Sequence, residues 1–289
     1  MRKRISFWLF ISVSVISFSL VVLYPLLSGI FLSFTDWNGI GEGSKLVGFS
    51  NYMEILNGKK DPEFLAAFIF TLKFAVVSII TINVVGFSLA LLVTRGLKGT
   101  NILRTIFFMP NLIGGLILGF IWNFIFIEAF TALGKTLNIP WLTGWLSDAN
   151  TGFWGLVILM TWQMSGYIML IYIAALQNIP EELLEAAQID GANTWQRVKN
   201  IVFPLVRPAF TVSLFLTISS AFKLFDQNLS LTAGGPGNAT QMLAMNIYKT
   251  AFTYNKLGSA QAKAVVFFIL VASVTLTQVY FSKKKEVEM

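Results

Sequence analysis

Six stretches of about 20 or more mostly apolar residues recur along the chain, near residues 8–30, 66–93, 105–127, 153–176, 207–225 and 262–281, and such lengths suit a bilayer. That feature removes most folds. Backbone polar groups in lipid must be satisfied internally, so the stretches read as helices, and none alternates as a barrel strand would. The expectation is an all-α integral membrane protein, a single domain over residues 1–289 with six transmembrane helices. Composition agrees, with 12% of residues charged against roughly 25% in a soluble domain.

The first stretch follows Arg2, Lys3 and Arg4 and has the charge of a signal peptide. It is too long, lacks a small-residue cleavage site and precedes further spans, so a retained span is expected. Tyr24-Pro25 is expected to kink it. With the N-terminus inside, Arg2, Lys3, Arg4, Arg95, Lys98, Arg104, Arg197, Lys199, Arg207, Lys283, Lys284 and Lys285 face the cytoplasm. The outer loops then hold Lys45, Lys59, Lys60, Lys135, Lys249 and Lys256, a bias that places both termini in the cytoplasm. Lys73, Lys223 and Lys263 fall in or at the ends of spans and are expected to snorkel to an interface. This topology explains the net charge of +7, and no basic stripe argues for nucleic acid.

Between the fourth and fifth spans lies a polar island, residues 180–204, predicted to be two short helices joined by an elbow. Pro180 suits a first helical position, with Glu181 and Glu182 against the positive end of the helix dipole. Asp190-Gly191 ends that helix near Ile189. Asn193 caps the second, with Gln196 completing a capping box, and Pro204 ends or bends it. Trp195, Val198, Ile201 and Val202 are expected on roughly one face. The island is either a docking element or an ordinary amphipathic surface helix.

The chain has no Cys and no His, which removes thiolate and imidazole chemistry and points away from an enzyme and from a metal site. No Asp or Glu lies within the six expected spans, Glu128 and Asp226 sitting just past the ends of two. A proton- or sodium-driven relay is therefore poorly served, although a self-contained secondary carrier or channel remains the alternative. Gly134-Lys135-Thr136 ends like a P-loop, but Ala129 stands where the leading Gly belongs and no strand precedes it. ATP chemistry, if any, belongs to another chain.

Candidates for a hydrophilic path are Asn83, Asn111, Trp122, Asn123, Trp162, Gln163 and Tyr167, with Ser165, Ser219 and Ser220. Amides and aromatic faces suit sugar rings; interhelical hydrogen bonding is the competing role. Gly115 and Gly119 form a small-xxx-small pair that permits close helix approach. Residues 231–238 form a tight glycine-rich outer loop.

Glu185-Ala186-Ala187, then three residues, Gly191, nine residues, Ile201, and Phe203-Pro204 resembles the EAA loop of importer-type ABC permeases, with Phe203 where Leu is usual. Val47-Gly48-Phe49-Ser50-Asn51-Tyr52, the stretch from Arg104 to Pro110, Gly119-Phe120-Ile121-Trp122, the stretch from Ala174 to Pro180 and the 231–238 cluster are similar to the carbohydrate-uptake branch. The resemblance implies a type I importer permease bundle in a bacterial or archaeal cytoplasmic membrane. It implies a second permease subunit, commonly a heterodimer, two ATPase subunits that bind ATP and Mg, an external solute-binding protein, and no cofactor in this chain. The first elbow helix would be the coupling helix, with Glu185, Ala186, Ala187, Asp190, Gly191 and Pro204 as coupling residues. Glu185 would make polar contact with the ATPase or merely support the helix that does. Gly234, Gly235 and Pro236 would face the binding protein. The roughly 35 residues between the first two spans are too few for the extra domain of larger members.

Overall fold

The computed structural model describes residues 2–41, 44–58, 60–95 and 99–284; Lys59, Lys98 and Lys285 of the charge pattern lie outside them. The described residues are helical apart from turns, loops and one isolated bridge between Thr35 and Leu46. In chain order the α-helices are α1 (Arg2–Phe18), α2 (Tyr24–Leu32), α3 (Ser50–Leu56), α4 (Pro62–Val93), α5 (Thr100–Phe108), α6 (Gly115–Phe124) and α7 (Phe130–Leu137). There follow α8 (Ala149–Leu176), α9 (Glu181–Ile189), α10 (Thr194–Arg197), α11 (Phe203–Leu205) and α12 (Arg207–Phe222). The last are α13 (Asp226–Leu231), α14 (Leu243–Tyr248) and α15 (Leu257–Lys283).

Five helical runs are long and apolar enough to span a membrane: Phe10–Leu32, Pro62–Val93, Gly115–Leu137, Ala149–Leu176 and Leu257–Lys283. A sixth is the pair Thr194–Leu205 and Arg207–Phe222, bent by 71°. The third run starts and ends later than hydropathy suggests. Pro110 can donate no helical hydrogen bond and Ile113 is extended, so the chain breaks over a 3-10 turn, Met109–Leu112, and α5 stands as a separate helix. The third run therefore reaches Leu137 and includes Glu128, and the second begins early enough to include Glu63, which corrects the expectation of acid-free spans.

The chain forms two compact units. The first comprises Met1–Leu65 and Asn246–Ile269. Instead of a simple kink, a π-turn over Ser19–Leu23 precedes Pro25 and absorbs the donor that proline lacks. Asn51 then holds the following loop: its side-chain amide donates to the carbonyls of Ser33 and Thr35, at 2.8 and 2.9 Å. Phe34, Phe49 and Tyr52 pack ring on ring beside it.

The second unit comprises Ala66–Met245 and Leu270–Met289. Its centre is α8, which has an apolar core side chain on nearly every turn, including Leu156, Leu159, Met160, Ile168 and Met169. Asp148 caps α8, accepting from the backbone N–H groups of Asn150 and Thr151. A polar network crosses three helices within this core. The fully buried Tyr172 hydroxyl donates to Asn83 Oδ1 at 2.6 Å and lies 2.7 Å from Ser213 Oγ, while Asn83 Nδ2 donates to Thr217 Oγ1 at 3.2 Å. Helices α6 and α13 cross closely, and a Cβ on Gly119 would overlap Ser230 Oγ, so the small-xxx-small pair serves packing within the chain.

Candidate functional site

A cavity of about 360 Å³ opens in the second unit where the 3-10 turn, α8, the end of α12 and α13 converge. Its polar wall is made by Asn111, Gln163, Ser219, Ser220, Lys223 and Gln227, and its apolar wall by Met160, Met164 and Leu224. Gln227 Nε2 donates to Gln163 Oε1 at 2.8 Å, and Gln163 Nε2 donates to the carbonyl of Ile113 at 3.3 Å. The break at Pro110 and Gly114 leaves that carbonyl outside the helical ladder and free to accept. No carboxylate lines the cavity, and Lys223 is its one formal charge among the described residues. Such a wall offers donors and acceptors to a polyhydroxylated solute, with one cationic donor from Lys223.

Of the residues expected on a hydrophilic path, Asn111, Gln163, Ser219 and Ser220 meet at this cavity. Asn83 does not line it; its amide belongs to the Tyr172 network. Asn123 donates to the carbonyl of Leu231 at 2.8 Å and ties α6 to α13. Trp122 and Trp162 meet edge to face at 5.6 Å, Trp122 also packs on Phe126, and Tyr167 packs on Phe108. Ser165 is buried. The aromatic rings thus pack on one another and leave the cavity wall to amides and hydroxyls. Sequence pattern does not point to Gln227, which lies beyond the expected end of the fifth span, or to Lys223, whose place at a span end is also that of an interfacial anchor.

The elbow has its own construction. Helix α9 ends in a Schellman motif: Ala192 N–H donates to the Ala187 carbonyl at 2.9 Å and Gly191 N–H to that of Gln188 at 3.1 Å, with Gly191 at φ +78°. The capping box is present, Asn193 Oδ1 accepting from Gln196 N–H at 2.9 Å and Gln196 Oε1 from Asn193 N–H at 2.8 Å. Pro180 differs from expectation: its extended ψ of 130° makes it the N-cap, and α9 begins at Glu181. The expected single apolar face also fails. A π-turn over Val198–Val202 widens the helix and shifts register, so Trp195 stands 71% exposed while Val202 is buried.

Val202 joins Ile179 and Val206 in a small core with Leu91, Leu176, Leu184 and Phe210, which seats the elbow on the ends of α4, α8 and α12. Outward, Ile189 is 86% exposed. Glu185 is also exposed and makes no hydrogen bond or ion pair among the described residues. Asp190 is exposed at the helix end, Ala186 is exposed, Ala187 half-buried and Pro204 half-buried at the bend. The elbow is anchored from within and exposed on its outer side.

The glycine-rich loop is held by Asn228 and Thr240. Asn228 donates to the Thr240 carbonyl at 2.8 Å, and Thr240 Oγ1 donates to the Gly235 carbonyl at 2.6 Å. Gly234 is buried at φ +80°, Gly235 is half-buried and Pro236 is exposed. Among the described residues no group of three or more Asp or Glu is placed to hold a metal ion.

Residues 82–287 match the family model described as the binding-protein-dependent transport system inner membrane component. The chain belongs to that family. The permease is 56% identical, over all of its own length and 97% of the relative's, to the probable starch degradation products transport system permease protein AmyD of Thermoanaerobacterium thermosulfurigenes. It is 32% identical to the multiple sugar-binding transport system permease protein MsmF of Streptococcus mutans, covering 97% of this chain and 96% of that one. Its fold matches, with a TM-score of 0.80 at 19% identity, a bacterial alginate ABC transporter solved in complex with an alginate pentasaccharide-bound periplasmic protein, over 98% of the permease and 96% of that chain. The type I permease fold and a multi-pass inner-membrane component follow.

Proposed function

We propose that this permease passes a neutral sugar or short oligosaccharide through the Gln163–Gln227 cavity by alternating access, driven by a separate ATPase. The observation that carries the substrate class is the cavity wall, where amides and hydroxyls converge without a carboxylate. Similarity to permeases named for starch degradation products and for multiple sugars supports the same class. Asn111, Gln163, Ser219, Ser220, Lys223 and Gln227 are the contacts we assign to the path.

The elbow faces the cytoplasm with both termini, in line with the basic residues around it. Helix α9 is the coupling helix, and exposed Glu185 and Ile189 are its contacts with one of two ATPase subunits that hold ATP and Mg. Gly191 and the bend at Pro204 carry the push into α12. A second permease subunit completes the translocation path as a heterodimer, and a solute-binding protein docks at the other face, where Pro236 is exposed beside Gly234 and Gly235. The chain works as one permease domain.

Proteoliposomes test this reading. The permease reconstituted with its partner permease, the ATPase and the binding protein should accumulate a maltooligosaccharide only when ATP is inside. Glu185→Ala should leave insertion intact and lower ATPase recruitment and uptake together. Flux of the sugar through the permease alone, without any ATPase, would mean a self-contained carrier or channel instead.

A further inference from the structure

Lys263 lies in the second turn of the apolar run Leu257–Lys283, yet it does not snorkel: its side chain is 5% exposed and its ammonium is 2.7 Å from Asp61 Oδ2. The other two ammonium protons are also used. They go to Asn246 Oδ1 at 3.0 Å and Thr250 Oγ1 at 2.9 Å, and the Phe64 ring centroid stands 5.6 Å away. Asp61 has a second duty, its Oδ1 accepting from Phe64 N–H at 2.9 Å to cap the head of α4.

All these residues belong to the first unit, which is discontinuous in sequence. Asp61 and Phe64 close its N-terminal segment at Leu65, and Asn246 and Thr250 open its second segment, which contains Lys263. One ammonium therefore fastens the two segments together. A lysine within an apolar span is costly, and a buried ion pair often contributes little net stability compared with apolar side chains of the same volume. Fixed geometry is the better account of its presence.

We propose that Lys263 is a positioning residue for transport, a pin that makes the head of α4, α14 and the first turns of α15 move as one rigid block. Alternating access proceeds largely by rigid-body rocking of one helical bundle against another, which needs blocks that hold their internal geometry. Loosening the pin separates ATP hydrolysis from solute movement, and this consequence rests on the ATP-driven reading above.

The test is Asp61→Asn with Lys263→Met in the complete reconstituted transporter. Asn keeps the helix cap and Met fills the volume of the lysine stem. The double variant takes the ammonium donor from buried Asn246 Oδ1 and Thr250 Oγ1 and should melt somewhat lower, but it should assemble and retain ATP hydrolysis, while sugar taken up per ATP in the assembled complex falls about tenfold. Wild-type uptake per ATP in the assembled double variant would overturn the proposal. So would a loss of uptake that only follows loss of assembled complex. If the double variant does not assemble, Lys263→Met alone decides, because it removes the ammonium and leaves Asp61 in place with its cap on α4 intact. Reduced uptake per ATP from that variant supports the pin, and normal uptake overturns it. A wild-type transporter that fails to accumulate sugar in the same vesicles would instead count against the transport reading.

Discussion

Gln227 on α13 donates a 2.8 Å hydrogen bond to Gln163 on α8, and the pair forms a bridge in the wall of the cavity. Their amides have groups left to offer a solute, so the bridge both fixes the wall and presents it.

Replacing Gln227 by Ala removes one of the solute contacts proposed above and frees the Gln163 carbonyl from its partner. A hydrogen bond contributes about 0.5–1.5 kcal/mol net, so apparent transport affinity should weaken by roughly two- to tenfold. Sugar uptake titrated in proteoliposomes measures this, with ATP hydrolysis as the control for coupling. Unchanged affinity in both Gln227→Ala and Gln163→Ala would remove the cavity from the path.

Gly119 passes so close to Ser230 that an added methyl overlaps the serine hydroxyl. Gly119→Ala should cost about 1–3 kcal/mol through overpacking, seen as a lower melting temperature of the purified protein. Ser230→Ala in the same chain removes the overlapping oxygen and should recover part of the loss, which a double-mutant cycle quantifies.

Tyr172 offers a contrasting case, since its hydroxyl sits in the buried network with Asn83 and Ser213 and does not line the cavity. Tyr172→Phe leaves Asn83 Oδ1 without its 2.6 Å donor in a fully buried site. Interhelical hydrogen bonds in membranes contribute about 0.6 kcal/mol on average and reach roughly 1.7. A destabilisation in that range is expected on thermal unfolding, with uptake per folded transporter unchanged.

These cases show which parts of the molecule the sequence discloses. Five spans and a bent sixth are legible because crossing a bilayer demands a long apolar run whatever the tertiary contacts. The elbow is legible because its signals are local: Asn193 and Gln196 are three residues apart and satisfy each other. The third span is misplaced because Ile106, Phe107 and Leu118 give a continuous hydropathy signal across a break made by backbone chemistry at Pro110. Lys263 is misread because its partner Asp61 lies far away in sequence, and a lysine near a span end has the same composition whether it snorkels or is paired. Asn83 and Gln163 are alike as amides in spans. Only packing separates the one in a buried network from the one in a cavity wall.

Asp148 makes the start of α8 sensitive to pH. Its carboxylate accepts from the Thr151 backbone N–H, the Thr151 hydroxyl and the Asn150 N–H, and these donors hold its pKa below the ordinary value of 3.8. The folded chain therefore binds this proton less readily than the unfolded chain. Its contribution is complete above the unfolded pKa and is lost as pH falls through the lower folded one. Asp148→Asn can still cap but cannot titrate. The melting-temperature advantage of wild type over Asp148→Asn should hold near neutral pH and shrink as acid passes below 3.8.

Gly191 makes the turn that closes α9. Its φ of +78° lies in the left-handed region, and a Cβ there would meet nothing within 4 Å, so a side chain is opposed by the backbone rather than by neighbours. Alanine should cost about 1 kcal/mol at this turn, valine more because it is β-branched, and asparagine less because its side chain tolerates the left-handed region. Since Gly191 closes α9, the proposed coupling helix, the strain acts on the angle between α9 and α10 rather than on the membrane core. Uptake per assembled complex should fall in the order glycine, asparagine, alanine, valine, with insertion and sugar affinity unchanged. Equal uptake from all three variants would show that the left-handed turn is not needed for coupling. Equal uptake together with a wild-type response to Glu185→Ala would remove the elbow from the path of force.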